Sequence, residues 1–250
     1  MGMAHQSLAE LRRNRLPLMN SPEFDKFADS YDHLLKDPIR DRFSSAGSRF
    51  FHVRKRDLIL AHFRRHKMDP SCMSYLDFGC GQGELLGLLG GSFAEARGCD
   101  PSRQMMAEIR GFETRVQQDP RRIPYEDGRF DFVTAVCVYH HLPPAGRARL
   151  TLEVRRVLRP GGTFCIIEHN PLNPVTRIVV SRTPVDAAAI LLTAGSTRSL
   201  MQRAGFQPLK AEYFLYFPER LYKTCGHLEG LMKRLPLGGQ YAVFARLANG

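Results

Sequence analysis

The chain has 250 residues, of which 43% are hydrophobic and 24% are charged, so it is long enough for one large globular domain of ordinary composition. No stretch reaches the ~18 to 20 uninterrupted apolar residues of a membrane span. Residues 1–20 carry three arginines with no apolar stretch after them, which does not resemble a secretory signal. The six cysteines include no CxxC pair, so a zinc ribbon is not predicted and a reducing, cytoplasmic location is favoured.

The formal net charge of +11 is unevenly distributed. Residues 1–72 carry 14 Lys and Arg against 9 Asp and Glu, residues 73–170 carry 12 of each, and residues 171–250 carry 10 against 4. The basic excess is compatible with a solubilising surface, with an anionic acceptor molecule, or with a nearby acidic membrane surface. Aromatic residues are not interleaved with the basic ones, so no nucleic-acid partner is predicted.

The first seventy residues are predicted to form an N-terminal arm over 1–20 and a helical cap over 21–70. Ser21 as N-cap and Pro22 after it predict the start of a helix, and the apolar residues that follow at helical spacing place Tyr31 on its buried face. A second helix is predicted over 48–66.

Strands and helices alternate from residue 73 onward, which predicts an α/β domain over 71–250 with a mostly parallel sheet covered by helices on both faces. Strands are predicted over 73–78, 95–100, 114–118, 130–138, 162–168, 209–217 and 240–247. Helices are predicted over 83–89, 102–111, 145–158 and 197–204. Residues 171–196 are too long for a plain connection, so they are predicted to form a substrate lid or a binding element.

Three glycines, Gly79, Gly81 and Gly83, follow the first strand of this domain. Glycine there lets the backbone take positive φ and lets a ligand approach, at the strand end where open sheets bind ligands. The spacing is not the G-x-G-x-x-G of a dinucleotide site, and no Gly-Lys-Ser/Thr of a P-loop is present. Glu84 follows directly and would oppose a pyrophosphate, so a nicotinamide-dependent oxidoreductase is disfavoured.

The pattern D-x-G-x-G-x-G that begins at Asp77 resembles motif I of the class I S-adenosylmethionine-dependent methyltransferases. "ARGCDPS" around Asp100, "VQQDP" around Asp119, "FDFVTAVCVYHHL" and "EVRRVLRPGGTFCIIEHN" are similar to the later motifs of the same family in the same order. "FDKFADSYD" resembles its N-terminal lid helix. The resemblance covers residues 24 to 170, and it implies a Rossmann-like, seven-stranded fold with an N-terminal helical cap.

The resemblance also implies S-adenosylmethionine as cofactor. It assigns Asp100 to the ribose hydroxyls, Asp119 to the adenine amino group and Cys137 with Val138 to the methionine end. The full set of residues that it implies for the cofactor is Tyr31, Asp77, Gly79, Cys80, Gly81, Gly83, Asp100, Pro101, Ser102, Asp119, Cys137 and Val138. Lys55 is a further candidate for the carboxylate of the cofactor. A structural role as a strand-end cap remains the alternative for the aspartates, and a core position remains the alternative for Tyr31.

Candidate catalytic residues are His140, His141 and His169, which follow two predicted strands at the carboxyl edge of the sheet. Histidine titrates near neutral pH and can take a proton from an acceptor, although packing roles for all three remain open. No metal site is predicted, because no carboxylate and histidine spacing supports one. Arg177 and Arg182 in the predicted lid could hold an anionic substrate or simply be solvated.

The predicted function is methyl transfer from S-adenosylmethionine to a small or medium-sized acceptor, for which the basic flanks favour an anionic one. Two alternatives stay open: a scaffold that binds the same cofactor but catalyses cyclisation, elimination or decarboxylation, and a non-catalytic partner protein. The sequence does not predict the acceptor atom or an oligomeric state.

Overall fold

The computed structural model describes residue 25 and residues 28–44 and 47–248, and the strands in this part of the chain form one sheet. They are β1 (Ser74–Phe78), β2 (Glu95–Asp100), β3 (Glu113–Val116), β4 (Phe130–Val136), β5 (Leu158–His169), β6 (Phe206–Pro208), β7 (Glu212–Phe214) and β8 (Gln240–Leu247). The order across the sheet is β3-β2-β1-β4-β5-β8-β6, with β7 also paired to β8. The pairs from β3 to β5 are parallel, whereas β6, β7 and β5 all pair antiparallel with β8.

The helices of the described chain pack on both faces of this sheet. They are α1 (Tyr31–Leu34), α2 (Pro38–Phe43), α3 (Ser48–Arg65), α4 (Glu84–Leu89), α5 (Pro144–Val157), α6 (Pro174–Arg182), α7 (Ala194–Arg203), α8 (Glu219–Cys225) and α9 (Glu229–Met232). Side chains of α3 and α4 form a buried cluster on one face, and those of α5 and α7 form one on the other. All five residues of β1 are buried, as expected for a central parallel strand covered on both faces. The predicted α/β fold with a mostly parallel sheet is therefore confirmed.

Side-chain caps explain where α2 and α6 begin. Asp37 Oδ1 accepts hydrogen bonds from the backbone N–H groups of the second and third residues of α2, at 2.8 and 3.2 Å, and a proline opens the helix. Asn173 Oδ1 accepts from Thr176 N–H at 2.9 Å at the start of α6, which also opens on a proline. An oxygen-bearing cap followed by proline satisfies the free N–H groups of a first turn, and both helices are thus positioned by local sequence.

Two predicted elements differ from the structure. The helix predicted over 102–111 is absent. Residues 103–108 instead form turns with hydrogen bonds between residues i and i+3, such as the one from Ala107 N–H to the Gln104 carbonyl. The strand predicted over 209–217 is replaced by β6 and β7, which pair with opposite ends of β8. β6 ends at Pro208, which has no N–H for a further strand hydrogen bond. β7 ends before Leu215, whose φ of 62° is not that of a strand. The seventh sheet position is therefore occupied by two short strands.

Several predictions concern residues outside the described part of the chain. These are the arm over 1–20, the cap at Ser21 and Pro22, and the side chain of Tyr31, whose backbone begins α1. The boundaries proposed for the helical cap and the domain stay predictions. Across the residues that are described, no helix is both long and apolar enough to cross a bilayer.

Candidate functional site

A cavity of about 410 Å³ lies beyond the carboxyl ends of β1 and β4. The strand order reverses between these two strands, and open parallel sheets bind ligands at such a point. The glycine loop after β1, the ends of the central strands, and helices α2, α3 and α6 supply its walls. The predicted site residues that line it are Asp77, Gly79, Cys80, Gly81, Asp100, Cys137, Val138, His140, His141 and His169.

The three loop glycines all have positive φ, at 73° for Gly79, 51° for Gly81 and 78° for Gly83, a region that other residues rarely adopt. A Cβ at Gly79 would lie 2.4 Å from Val138 Cγ2, and one at Gly83 would lie 2.8 Å from Ile109. A Cβ at Gly81 would meet only a methionine methyl group, at 3.6 Å, and Gly81 lines the cavity. Glycine at 79 and 83 therefore allows the loop to pack, whereas glycine at 81 leaves room for a ligand.

Two carboxylates lie at the strand ends beneath this loop. Burial raises the pKa of Asp77 to about 7, although a hydrogen bond from Thr134 Oγ1 at 2.7 Å opposes the shift. Burial likewise raises the pKa of Asp100 to about 6, although the N–H groups of Gly81 and Ser102 donate to it, each at 2.9 Å. A cationic ligand would stabilise both carboxylates in their charged forms, whereas a pyrophosphate would not. These acids therefore fit a positively charged nucleoside such as S-adenosylmethionine.

The other residues predicted to bind the cofactor are not in the cavity wall. Ser102 is fully buried and accepts a hydrogen bond from Met105 N–H at 3.1 Å, next to the buried Pro101. Asp119 is exposed and caps a turn by accepting from Arg121 N–H at 2.8 Å. Gly83 is the N-cap of α4. Roles of these residues in cofactor binding remain predictions, as does that of Tyr31.

The thiol of Cys137 lies where β4 ends, on a residue whose φ is 56°. Lys55 Nζ lies 4.0 Å from Cys137 Sγ, and Gln240 Nε2 lies 3.5 Å from it. Burial raises the pKa of the thiol, but Lys55 and His169 lower it, and the net value is about 7. Cys137 is therefore partly a thiolate at neutral pH.

Gln240 was not predicted from the sequence. It begins β8, lines the cavity, and holds a buried Oε1 with no hydrogen-bond partner among the described residues. Nothing in the sequence near Gln240 signals this position, because the antiparallel pairing of β8 with β5 brings it beside His169. A buried acceptor without a partner is costly, so Gln240 is available to a donor on a ligand.

Three histidines and two carboxylates form a connected group at the other end of the cavity. His140 Nδ1 lies 2.6 Å from Glu168 Oε2, and His140 Nε2 lies 3.2 Å from Asp186 Oδ1. His141 Nε2 lies 3.5 Å from the same Asp186 oxygen. The ring of His169 lies 5.2 Å from that of His140. The fold therefore brings together the three predicted histidines, and it adds Asp186, which no sequence pattern indicated.

The electrostatic surroundings give the three histidines different pKa values. Burial lowers the pKa of His140, but Glu168 and Asp186 outweigh it and hold the pKa well above 6.5. Only a protonated imidazole can donate from both nitrogens to carboxylates. Burial and the His140 cation lower the pKa of His141 to about 3. Burial also lowers the pKa of His169, but the charge of the Cys137 thiolate and its hydrogen bond with the ring more than compensate, and the net shift is upward.

His140, His141 and Asp186 also place three potential metal-ligand atoms within 4.8 Å of one another. The same three side chains are linked by ion pairs, with His140 between Asp186 and Glu168. The expectation of no metal site therefore stays a prediction.

The segment predicted as a lid contains α6, and one face of this helix forms a cavity wall. The wall residues are aliphatic or carry a hydroxyl group: Val175, Thr176, Val179, Val180 and Thr183. Ile39 and Phe43 of α2 are also in the cavity wall. The cavity between these helices is therefore mostly apolar.

Arg177 and Arg182, the two predicted anion ligands, are exposed and do not line the cavity. The cations that line it are Arg40, Lys55 and the imidazolium of His140, and the carboxylates that line it are Asp77, Glu84, Asp100 and Asp186. The described Lys and Arg residues of 171–250 thus lie outside the cavity, whereas Arg40 and Lys55 of the N-terminal flank line it, and an anionic acceptor stays a prediction.

A doubly wound sheet with a glycine loop and acidic strand ends defines a nucleoside-binding α/β protein, and comparison with known proteins makes the class specific. Residues 76–166 match the family described as "Methyltransferase domain". This match supports the resemblance to the class I S-adenosylmethionine-dependent methyltransferase superfamily, which implies S-adenosylmethionine as the cofactor.

Individual relatives are distant. The chain is 29% identical over 147 residues to an uncharacterized methyltransferase of Synechocystis, in a match that covers 56% of this chain and 69% of the relative. It is 31% identical over 171 residues to the tRNA (carboxymethyluridine(34)-5-O)-methyltransferase of Arabidopsis thaliana, across 67% of this chain but 39% of that protein.

Two solved structures have similar folds at low sequence identity. One is a Thermotoga maritima methyltransferase described as a possible histamine N-methyltransferase, with a TM-score of 0.63, 16% identity, and coverage of 89% of this chain and 97% of that one. The other is the [4+2]-cyclase SpnF, with a TM-score of 0.61, 17% identity, and coverage of 92% and 96%. At such identities the likeness concerns the fold alone.

Proposed function

We propose that this protein transfers the methyl group of S-adenosylmethionine to a small, largely apolar acceptor that carries one protonated oxygen or nitrogen. One observation supports this above all: a single cavity joins the acidic strand ends under the glycine loop to three histidines and to an apolar wall from α2 and α6. A cofactor end, a proton-accepting end and a water-poor wall are what methyl transfer requires.

At the cofactor end, Asp77, Gly81 and Asp100 would hold the nucleoside and its positive charge. When bound, the cofactor supplies a methyl carbon activated by a cationic sulfur. Lys55, which is buried and lines the cavity, is proposed to pair with the cofactor carboxylate. Cys137 and Val138 would then lie beside the reacting region.

At the acceptor end, His169 is the proposed base. It is not held between two carboxylates as His140 is, and its pKa is not depressed as that of His141 is, to about 3, so in the neutral form, with Cys137 as a thiol, it can accept a proton. On methylation of the acceptor atom, the imidazole of His169 would take the proton that this atom loses. His140 is proposed to hold the wall in place, and His141 to contact the acceptor.

The test is incubation with methyl-labelled S-adenosylmethionine and cell extract separated into organic-soluble, aqueous small-molecule and RNA fractions. We expect label in the organic-soluble fraction together with release of S-adenosylhomocysteine. The variant Gly81→Arg, in which a side chain would enter the ligand space, serves as the inactive control. Label in RNA would instead support an acceptor like that of the Arabidopsis relative. Label only in anionic molecules of the aqueous fraction would support the anionic acceptor predicted from the sequence.

The two alternatives from the sequence predict other outcomes. A non-methylating scaffold would bind the cofactor, change an added substrate, and release no S-adenosylhomocysteine. A non-catalytic partner protein would show neither product. Either result would contradict the proposed methyl transfer.

A further inference from the structure

We propose that the protein docks on the surface of an anionic lipid bilayer through α6 and the segment 231–237. The docking goes beyond the proposed methyl transfer and does not depend on it. Its apolar part, here named the apolar rim, consists of six exposed aliphatic residues: Leu172, Val175, Ile178, Leu231, Leu235 and Leu237.

Exposed aliphatic residues are concentrated in this region of the molecule. Eleven large apolar side chains are exposed in the described chain, and eight of them lie within 172–178 and 221–237. Leu231 is 82% exposed, Leu237 59% and Leu172 57%. Single exposed leucines are ordinary, but a contiguous group marks an interaction surface.

Hydrogen bonds place the two halves of the apolar rim side by side. Asn173 Nδ2 donates to the Leu237 carbonyl at 2.6 Å, Asn170 Nδ2 to the Pro236 carbonyl at 3.0 Å, and Thr176 Oγ1 to the Gly239 carbonyl at 3.0 Å. The start of α6 is therefore fixed against the turn that precedes β8. The exposed Leu172 and Val175 and the exposed Leu237 are therefore brought close together.

The charges around the apolar rim are basic. Arg177, Arg182 and Arg234 are exposed, and Lys233 is half-buried. The acidic side chains of the neighbouring segment 219–239 both have partners outside it. Glu219 accepts from Ser44 Oγ at 3.2 Å, and Glu229 is buried against Arg54. The surface that faces solvent thus combines aliphatic and cationic side chains, which suits the headgroup region of an anionic bilayer.

A lipid surface explains both features, whereas RNA explains one of them. Phosphates would pair with the arginines but leave the leucines in water, and single-stranded RNA is usually bound on aromatic side chains. The apolar rim also reaches the cavity, because Val175 is 47% exposed and lines the cavity wall. Passage of an apolar acceptor from the bilayer into the cavity would follow, and this part alone rests on the proposed function.

The test is co-sedimentation of the full-length protein with vesicles of phosphatidylcholine alone or with about one third phosphatidylglycerol. We expect binding to the anionic vesicles, little binding to the neutral ones, and weakening by added salt. Leu231→Ser with Leu235→Ser should reduce binding to anionic vesicles about tenfold, since two exposed leucines that would insert partly into the bilayer are lost. Arg177→Glu with Lys233→Glu should abolish it.

The matched control is Leu152→Ser with Leu209→Ser, two exposed leucines outside the rim, and it should bind as the unmodified protein does. Calorimetric binding of S-adenosylmethionine verifies that each variant is folded, and it also separates failure of docking from failure of the proposed function. The inference is overturned if no vesicle binds, if neutral and anionic vesicles bind equally, or if both leucine pairs have the same effect. Preference for transfer RNA over anionic vesicles, unaffected by Leu231→Ser with Leu235→Ser, would also overturn it.

Discussion

His140 Nδ1 and Glu168 Oε2 lie 2.6 Å apart, and both side chains are almost completely buried. They come from different elements, since His140 follows β4 and Glu168 is near the end of β5. Because Asp186 approaches the other nitrogen of the ring at 3.2 Å, this pair ties the sheet edge to the segment that follows α6.

Glu168→Gln should destabilise the protein strongly. The substitution leaves His140 with one carboxylate instead of two and removes a charged acceptor for Tyr139 N–H. Breaking a buried ion pair from one side costs roughly 3 to 5 kcal/mol, which chemical denaturation would detect as a lower free energy of unfolding. The control is Glu113→Gln, whose ion pairs with two arginines are half exposed, and its cost should stay below about 1 kcal/mol. Equal losses of unfolding free energy in the two variants would show that the buried ion pair stabilises the protein no more than the exposed ones do.

Asp77→Asn should change how stability depends on pH. The pKa of Asp77 in the folded protein is about 7, above the ordinary value of about 4 in an unfolded chain. The folded state therefore binds this proton more tightly, and the free energy of unfolding should fall as pH rises between those two values. Full ionisation costs on the order of 4 kcal/mol. Asn does not titrate, so the stability of the variant relative to the unmodified protein should increase from about pH 4 to about pH 7. A constant difference in urea unfolding would contradict the shifted pKa.

Gly81→Val should abolish binding of S-adenosylmethionine, because its side chain would project into space that no protein atom fills within 3.5 Å. The matched control is Gly111→Val, which has a similar positive φ of 80° and no atom within 4 Å of its added Cβ. Both variants should lose about 1 to 2 kcal/mol of stability from the strained backbone. Calorimetry should show at least a tenfold loss of affinity for Gly81→Val only. The ligand would have to lie elsewhere if the two variants bound equally well.

Cys137 should react readily with iodoacetamide at neutral pH, since its pKa is about 7 and the thiolate is the reactive form. Lys55→Met removes the cation 4.0 Å from Sγ, so the midpoint of the pH profile of alkylation should rise. Mass spectrometry can follow Cys72 in the same sample as a reference, because this exposed thiol should react at the same rate in both proteins. Saturating S-adenosylmethionine should slow alkylation of Cys137 alone. An unchanged profile in Lys55→Met would exclude Lys55 as the cause of the lowered pKa.

The sequence was sufficient for the class of fold, the superfamily and the cofactor. These depend on local sequence patterns that do not require knowledge of tertiary contacts. The patterns are strand and helix periodicity, and an aspartate followed by glycines at every second position. The glycine loop and Asp100 could be located for the same reason, because the loop directly follows β1 and Asp100 is the last residue of β2. The prediction of a helix over 102–111 was wrong, since residues 103–108 form turns with hydrogen bonds between residues i and i+3. Local propensity does not decide between a helix and such turns.

Only the tertiary structure decided what the acceptor end of the cavity contains. Asp186 approaches His140 across 46 residues of chain, and Gln240 approaches Cys137 across 103. It also placed Arg177 and Arg182 outside the cavity and surrounded the acceptor space with the valines of α6. Contacts of this kind depend on how distant segments pack against the sheet, which no local pattern encodes. The sequence could therefore identify the cofactor, whereas the character of the acceptor site emerged only once the chain was folded.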